Sequence, residues 1–137
     1  MATKRYYSAV AQDTTLSSSI TSGGTSMVVG ATVGFPSSFP YVLAVDYNAA
    51  SEELVLVTSA AGTTLNITRG YNGTSATGHN TGAAIRHVII AQDLTDFSAH
   101  MDLTTNVHGI TNTAALLTTS TDISAAGIPV AFLTMGA

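Results

Sequence analysis

Between Thr14 and about Ile90 the chain is cut into short runs rich in β-branched residues by Gly, Asn, Ser and Pro, at intervals of about ten residues. A chain punctuated this finely cannot form long helices, and the pattern predicts a mainly β fold, a small antiparallel β-barrel or sandwich spanning about residues 14–90. The runs are Thr14–Ile20, Ser26–Val29, Tyr41–Tyr47, Glu53–Thr58, Thr64–Thr68 and Ala83–Ile90. They are separated by Thr21-Ser22-Gly23-Gly24, by Gly30, by the Phe35-Pro36 and Phe39-Pro40 stops, by Ala60-Ala61-Gly62, and by a loop holding Gly73, Gly78 and Gly82. In Thr64–Thr68, Leu65 and Ile67 share one face and polar residues the other, as in a half-buried strand. In Tyr41–Tyr47 both faces are apolar except near Asp46, which predicts a central strand buried on both sides, with Tyr41 and Tyr47 in core roles. A hairpin through Asn48, Ala49, Ala50 and Ser51 then leads to Glu53–Thr58, with Glu52 and Glu53 expected to be solvated.

The polarity of the chain comes from hydroxyls. Ser and Thr supply about a quarter of the residues, whereas charged residues make up 9%, against about 25% in an average domain. A hydrophobic content of 45% argues against disorder. The net charge is −4, and the only cations are Lys4, Arg5, Arg69 and Arg86. With no basic patch available to neutralise phosphates, direct binding to DNA or RNA is not expected. No apolar run approaches the ~20 residues that span a bilayer, and residues 1–10 lack the apolar core of a signal peptide, so a soluble protein without its own export signal is expected, with no membrane partner. With no cysteine in the chain, disulfides and thiolate sites are excluded.

From Ala91 the period changes. Leu94, Phe97 and Met101 recur at i, i+3 and i+7, with Asp93, Asp96 and Asp102 off that line, predicting a helix over 91–103. So narrow a stripe matches the a/d seam of a coiled coil, and equally a helix packed back on its own β-domain. The organisation that follows is an N-terminal arm (1–13), a β-domain (14–90), a helix with a possible trimer contact (91–103) and an extended C-terminal segment (104–137). The arm and the apolar end Ile128–Met135 have no periodic partner in the chain and are expected to order only against another protein.

Chemical motifs are nearly absent. His79, His87, His100 and His108 show no metal-ligand spacing. Asp46-Tyr47-Asn48 with Glu52 and Glu53 is superficially similar to a calcium loop but lacks its glycine and its spaced terminal Glu. There is no Cys nucleophile, Gly-x-Ser-x-Gly elbow or phosphate loop, and Glu52 and Glu53 point to opposite faces if they lie in a strand. No catalytic residue, metal or cofactor is expected.

One segment is more specific: Thr64-Leu65-Asn66-Ile67-Thr68-Arg69-Gly70-Tyr71-Asn72-Gly73-Thr74, then His79, then Gly82-Ala83-Ala84-Ile85. With Thr25-Ser26-Met27-Val28-Val29 and Glu53-Leu54-Val55-Leu56-Val57, it resembles a small β-module of tailed-bacteriophage structural proteins, a family that includes head decoration, head fibre and minor tail proteins. Arg69, Gly70, Tyr71, Asn72, Gly73, His79 and Gly82 would form its structural loop motif. Ser38-Phe39-Pro40 departs from the Gly and short polar turn of many relatives. A second segment, Val107-His108-Gly109-Ile110 followed by Thr113-Ala114-Ala115-Leu116, is similar to punctuation near trimeric stalks in phage fibre proteins.

The resemblance implies a virion structural protein. A capsid decoration protein on the outer head surface is the expected form, with a tail, neck or fibre-associated protein as the alternative. A homotrimer through Leu94, Phe97 and Met101 is expected, bound to the major capsid protein or another virion protein. Attachment would run through Lys4, Arg5, Tyr6 and Tyr7 or through Ile128, Val130, Phe132 and Leu133. A glycan-binding module is the reading from another class, with Tyr6, Tyr7, Tyr41, Tyr47 and Tyr71 as candidate stacking faces and Tyr71 the foremost.

Overall fold

The structure is a computed structural model that describes residues 4–103. It contains six strands, β1 (Thr14–Thr15), β2 (Ser26–Val28), β3 (Tyr41–Val45), β4 (Glu53–Ala61), β5 (Thr64–Thr68) and β6 (Ala84–His87), and one helix, α1 (Ala91–Asp102). All strand pairs are antiparallel, in the order β1-β6-β3-β4-β5-β2. The single sheet curls until its edges meet. Leu16 bridges Val29, Ser17 N–H donates to Val28 O at 2.8 Å, and Gly30 N–H donates to Thr15 O at 2.9 Å. The fold is therefore mainly β and barrel-like, one curled sheet instead of a two-sheet sandwich.

The core lies inside the curl. Tyr41, Leu43 and Val45 of β3 pack with Val55 and Val57 of β4, Leu65 and Ile67 of β5, and Leu16, Met27, Val29 and Ile85. The Thr64–Thr68 alternation appears as read, with Leu65 and Ile67 buried and the other three residues exposed. Strand β3 is central, and Val42 and Ala44 on its opposite face are as fully buried as its core face. Phe35 and Phe39 close one end of the core against the Tyr41 ring, next to the cis Phe39–Pro40 peptide.

Several boundaries differ from those read in the sequence. The run Thr14–Ile20 is not one strand: only Thr14–Thr15 pair with β6, after which Ser17 turns to β2 and Ile20 to His79. Strand β4 continues through the expected stop at Ala60-Ala61, because Gly62 (φ +62°) and Thr63 suffice for the turn into β5 and a register shift between Val57 and Ser59 absorbs one residue. Strand β3 ends at Val45 because Asp46 (φ 56°) and Asn48 (φ 64°) are left-handed. Tyr47 consequently leaves the sheet. It is 39% exposed, with the Arg86 guanidinium 4.4 Å from its ring centroid, which corrects its expected core role.

The N-terminal arm is also corrected: it has a partner within the chain. Tyr6 N–H donates to Pro40 O and Gln12 N–H to Val33 O. Arg5 is buried, with Nε 2.5 Å from Asp93 Oδ1, Nη2 2.8 Å from Asp96 Oδ2 and Nη1 donating to the Tyr71 hydroxyl at 3.0 Å. Burial disfavours its charge, but the Asp93 hydrogen bond and charge outweigh that and hold the guanidinium protonated well above its ordinary range. Asp93 also caps α1, its Oδ2 accepting from Ile90 N–H at 2.9 Å. The chain forms two compact units, Met1–Asp96 and Phe97–Ala137, and of the second only the end of α1 and Leu103 are described.

Candidate functional site

The conspicuous loop motif converges on one carboxylate. Glu53 opens β4 on the same face as Val55 and Val57, so its side chain is fully buried. Its Oε1 accepts from Arg69 Nε and from Gly70 N–H, both at 2.8 Å. Its Oε2 accepts from Arg69 Nη2 at 2.7 Å, His79 Nε2 at 2.9 Å and Thr77 N–H at 3.0 Å. Arg69 also donates to the carbonyls of Thr21, Gly24 and Thr77, tying its own loop to the one before β2. His79 Nδ1 lies 2.7 Å from Asp46 Oδ2. The expectation of a solvated Glu53 is thereby corrected: the inward position would leave a buried charge unless the chain supplied donors, and it supplies five.

The loop's backbone is shaped to deliver them. Gly70 is left-handed (φ +59°), and a Cβ there would meet Thr74 O at 3.0 Å and Ala76 N at 3.3 Å. This turn aims Gly70 N–H at Glu53 and starts the short 3₁₀ turn Tyr71–Gly73, whose Asn72 (φ 52°) is also left-handed. Thr74 Oγ1 accepts from Leu54 N–H at 3.1 Å and donates to Tyr71 O at 2.9 Å, pinning the turn to β4. Gly82 N–H donates to Leu16 O at 2.8 Å as the chain re-enters the sheet before β6.

The network surrounds Glu53 with donors. Each ring nitrogen of His79 faces a carboxylate, Nδ1 that of Asp46 and Nε2 that of Glu53. Burial pushes the Glu53 carboxyl up, but the hydrogen bonds from Arg69, Gly70, Thr77 and His79 prevail and hold it down at about 2. Thr77 Oγ1 sits 3.5 Å from His79 Nε2, too far for an activating hydrogen bond, and that nitrogen is already committed to Glu53. Among the described residues no buried side-chain nitrogen or oxygen lacks a partner, and no group of three or more His, Asp or Glu side chains is arranged to hold a metal.

Outward-facing features are of two kinds. Leu94, Phe97 and Met101 on α1 are 66%, 64% and 68% exposed, so the stripe read from the sequence is uncovered. A cleft of about 830 Å³ also opens beside β6, between the N-terminal arm, the β3–β4 connection and the start of α1, with Tyr7, Tyr47, Glu52, Asn72 and His87 in its wall. Of the other expected contact residues, Tyr41 is buried, Tyr71 is engaged by Arg5, and Lys4 is exposed with its Nζ 4.7 Å from the Tyr6 ring. Ile128, Val130, Phe132 and Leu133 lie outside the described residues, as does the fibre-like segment around His108. Sequence reasoning missed Glu53 and Asp46 as partners of Arg69 and His79. The available signal was the shared face of Glu53, Val55 and Val57. No protein-family model matches the chain, and no curated protein matches it.

Proposed function

We propose that the chain is a structural protein of a tailed-phage virion, a decoration protein that binds the outer surface of the head as a trimer. The observation that carries this reading is the exposed Leu94-Phe97-Met101 stripe on α1, together with a β-domain whose loop motif is taken up by its own Arg69–Glu53–His79 contacts. Three copies of α1 joined along the stripe would bury it as the a/d seam of a short coiled coil. The Arg69-Gly70-Tyr71-Asn72-Gly73 loop, built around Glu53, serves to fix the domain's shape, in keeping with the resemblance to phage structural modules. Among the described residues, the β-domain is followed by one helix of twelve residues, too short for a fibre shaft, which favours the head over the tail. With Arg5 committed to Asp93 and Asp96, attachment falls to the C-terminal residues, including Ile128, Val130, Phe132 and Leu133.

The test has two arms. In light scattering, the intact chain is expected to run as a trimer at tens of micromolar and Phe97→Asp as a monomer; a monomeric intact chain overturns the trimer. Added to undecorated phage heads, a chain ending at residue 127 is expected to lose occupancy by roughly 10²-fold or more, because three linked contacts are lost together. Equal occupancy by that shortened chain overturns the attachment route, and no binding by the intact chain overturns the decoration reading.

A further inference from the structure

The cleft beside β6 lies in the Met1–Asp96 unit and takes no part in the decoration reading. Its volume, about 830 Å³, falls within the range of roughly 300–1,000 Å³ typical of small-molecule sites. Leu54, Val88 and Ile90 give it an apolar floor, and two tyrosines flank it, Tyr7 at 46% and Tyr47 at 39% exposure. Half-exposed aromatic rings beside an apolar floor are surfaces that the C–H face of a pyranose ring covers well. The arm contributes Tyr7 only because it is folded onto the domain through Tyr6 and Arg5.

The polar groups in the wall are fixed before any ligand arrives. Glu52 Oε2 accepts from Asn48 N–H at 2.6 Å, which holds the carboxylate at the cleft as an acceptor. Asn72, held in a left-handed turn, offers an amide that both donates and accepts. Burial lowers the basicity of His87 against a smaller opposing effect from Tyr6 O, so its ring is neutral near pH 7. The Arg86 guanidinium lies 4.4 Å from the Tyr47 ring centroid, and Tyr47 remains 39% exposed. The wall contains no Lys or Arg, and with Glu52 present an anionic ligand would be repelled.

We infer that this cleft binds a neutral saccharide, with Tyr47 and Tyr7 as stacking faces and Glu52 and Asn72 as hydroxyl-binding groups. An acidic sugar finds no Lys or Arg in the wall, and apolar peptide side chains would offer the Glu52 carboxylate and the Asn72 amide no further hydrogen bonds.

The experiment is an NMR titration of the intact, isotope-labelled protein with cellotetraose, maltotetraose, laminaritetraose and tetra-N-acetylchitotetraose at millimolar concentration, with tetragalacturonate as the acidic comparison. At least one neutral oligosaccharide is expected to shift the amides of Ser8, Glu52, Asn72 and Ala91, and tetragalacturonate none of them. Tyr47→Ala is expected to weaken that binding about tenfold or more and Glu52→Gln by a smaller factor, each with an otherwise native spectrum. The inference is overturned if none of the four neutral sugars shifts these amides, or if Tyr47→Ala binds as well as the intact protein. A peptide of residues 128–135 that shifts them where no sugar does would identify the chain's own end as the occupant and overturn it too. The readout uses neither phage heads nor oligomeric state, so its failure is independent of the decoration proposal.

Discussion

Replacing Glu53 with Ala is expected to cost about 3–5 kcal/mol, because it strands the Arg69 guanidinium in the protein and removes the shared acceptor of Arg69, Gly70, Thr77 and His79. That is a large fraction of the roughly 5–15 kcal/mol that holds a typical domain together. Thermal unfolding should fall by at least about 12 °C. A change within experimental error would mean that Arg69 finds water as readily as it finds Glu53. The same carboxylate sets an acid dependence whose sign is fixed. The folded carboxyl is held at about 2, below its ordinary 4.5, so the unfolded chain takes up the proton first as acid is added. The stabilisation is therefore complete above about pH 4.5 and is lost progressively as pH falls toward 2. Asp93 is also held low, against the opposing effect of burial, by hydrogen bonds from Tyr7, Ile90 N–H and Arg5, and acts with the same sign. Unfolding temperature measured across that window should drop steeply in the parent and less steeply in Glu53→Gln. Equal slopes would remove Glu53 from the explanation.

Gly34→Ala is expected to be nearly as damaging, by a different route. Gly34 has φ +72°, and a Cβ there would lie 2.6 Å from the Val10 carbonyl carbon and closer still to its oxygen. The left-handed backbone and the overlap together cost roughly 2–5 kcal/mol. Because the obstacle is main chain, no rotamer change relieves it, and the cheapest response is for the arm to lift away. That would release Gln12 N–H from Val33 O, Tyr6 N–H from Pro40 O and Arg5 from Asp93 and Asp96. Trypsin should then cut after Arg5 far faster than in the parent, and the Tyr6 and Gln12 amides should exchange faster. A variant cut no faster than the parent would show that the arm is not seated against Gly34.

The elements that were legible in the sequence were those governed by neighbours a few residues away. Leu65 and Ile67 alternate with polar residues, and they are buried while those residues face water. Tyr41–Val45 is apolar on both faces and lies in the middle of the sheet, buried on both. What was misread depended on partners far along the chain. Glu53 and Glu52 look alike as adjacent acids, yet Glu53 meets an Arg 16 positions away and a His 26 away, whereas Glu52 stays at the surface. The strand period already placed Glu53 with Val55 and Val57, and following that period would have turned it inward. Arg5 looked like part of a free basic arm because its carboxylates lie 88 and 91 residues on. The cleft was the least legible, since its wall joins the arm, the β3–β4 connection, the 3₁₀ turn and the link to α1, which no local pattern connects.

The meeting of the sheet's edges at Leu16 and Val29 bears on the proposed display in many copies. A protein displayed in many copies on one surface holds its neighbours at an effective concentration where an open strand would template addition of another chain's strand, the first step toward cross-β aggregation. Here Ser17, Val28, Thr15 and Gly30 spend their edge hydrogen bonds on one another, and Thr14 Oγ1 takes the next amide, Ala31 N–H, at 3.0 Å. Under the decoration proposal, crowded copies of this domain would meet through outward side chains and not through these paired strand edges.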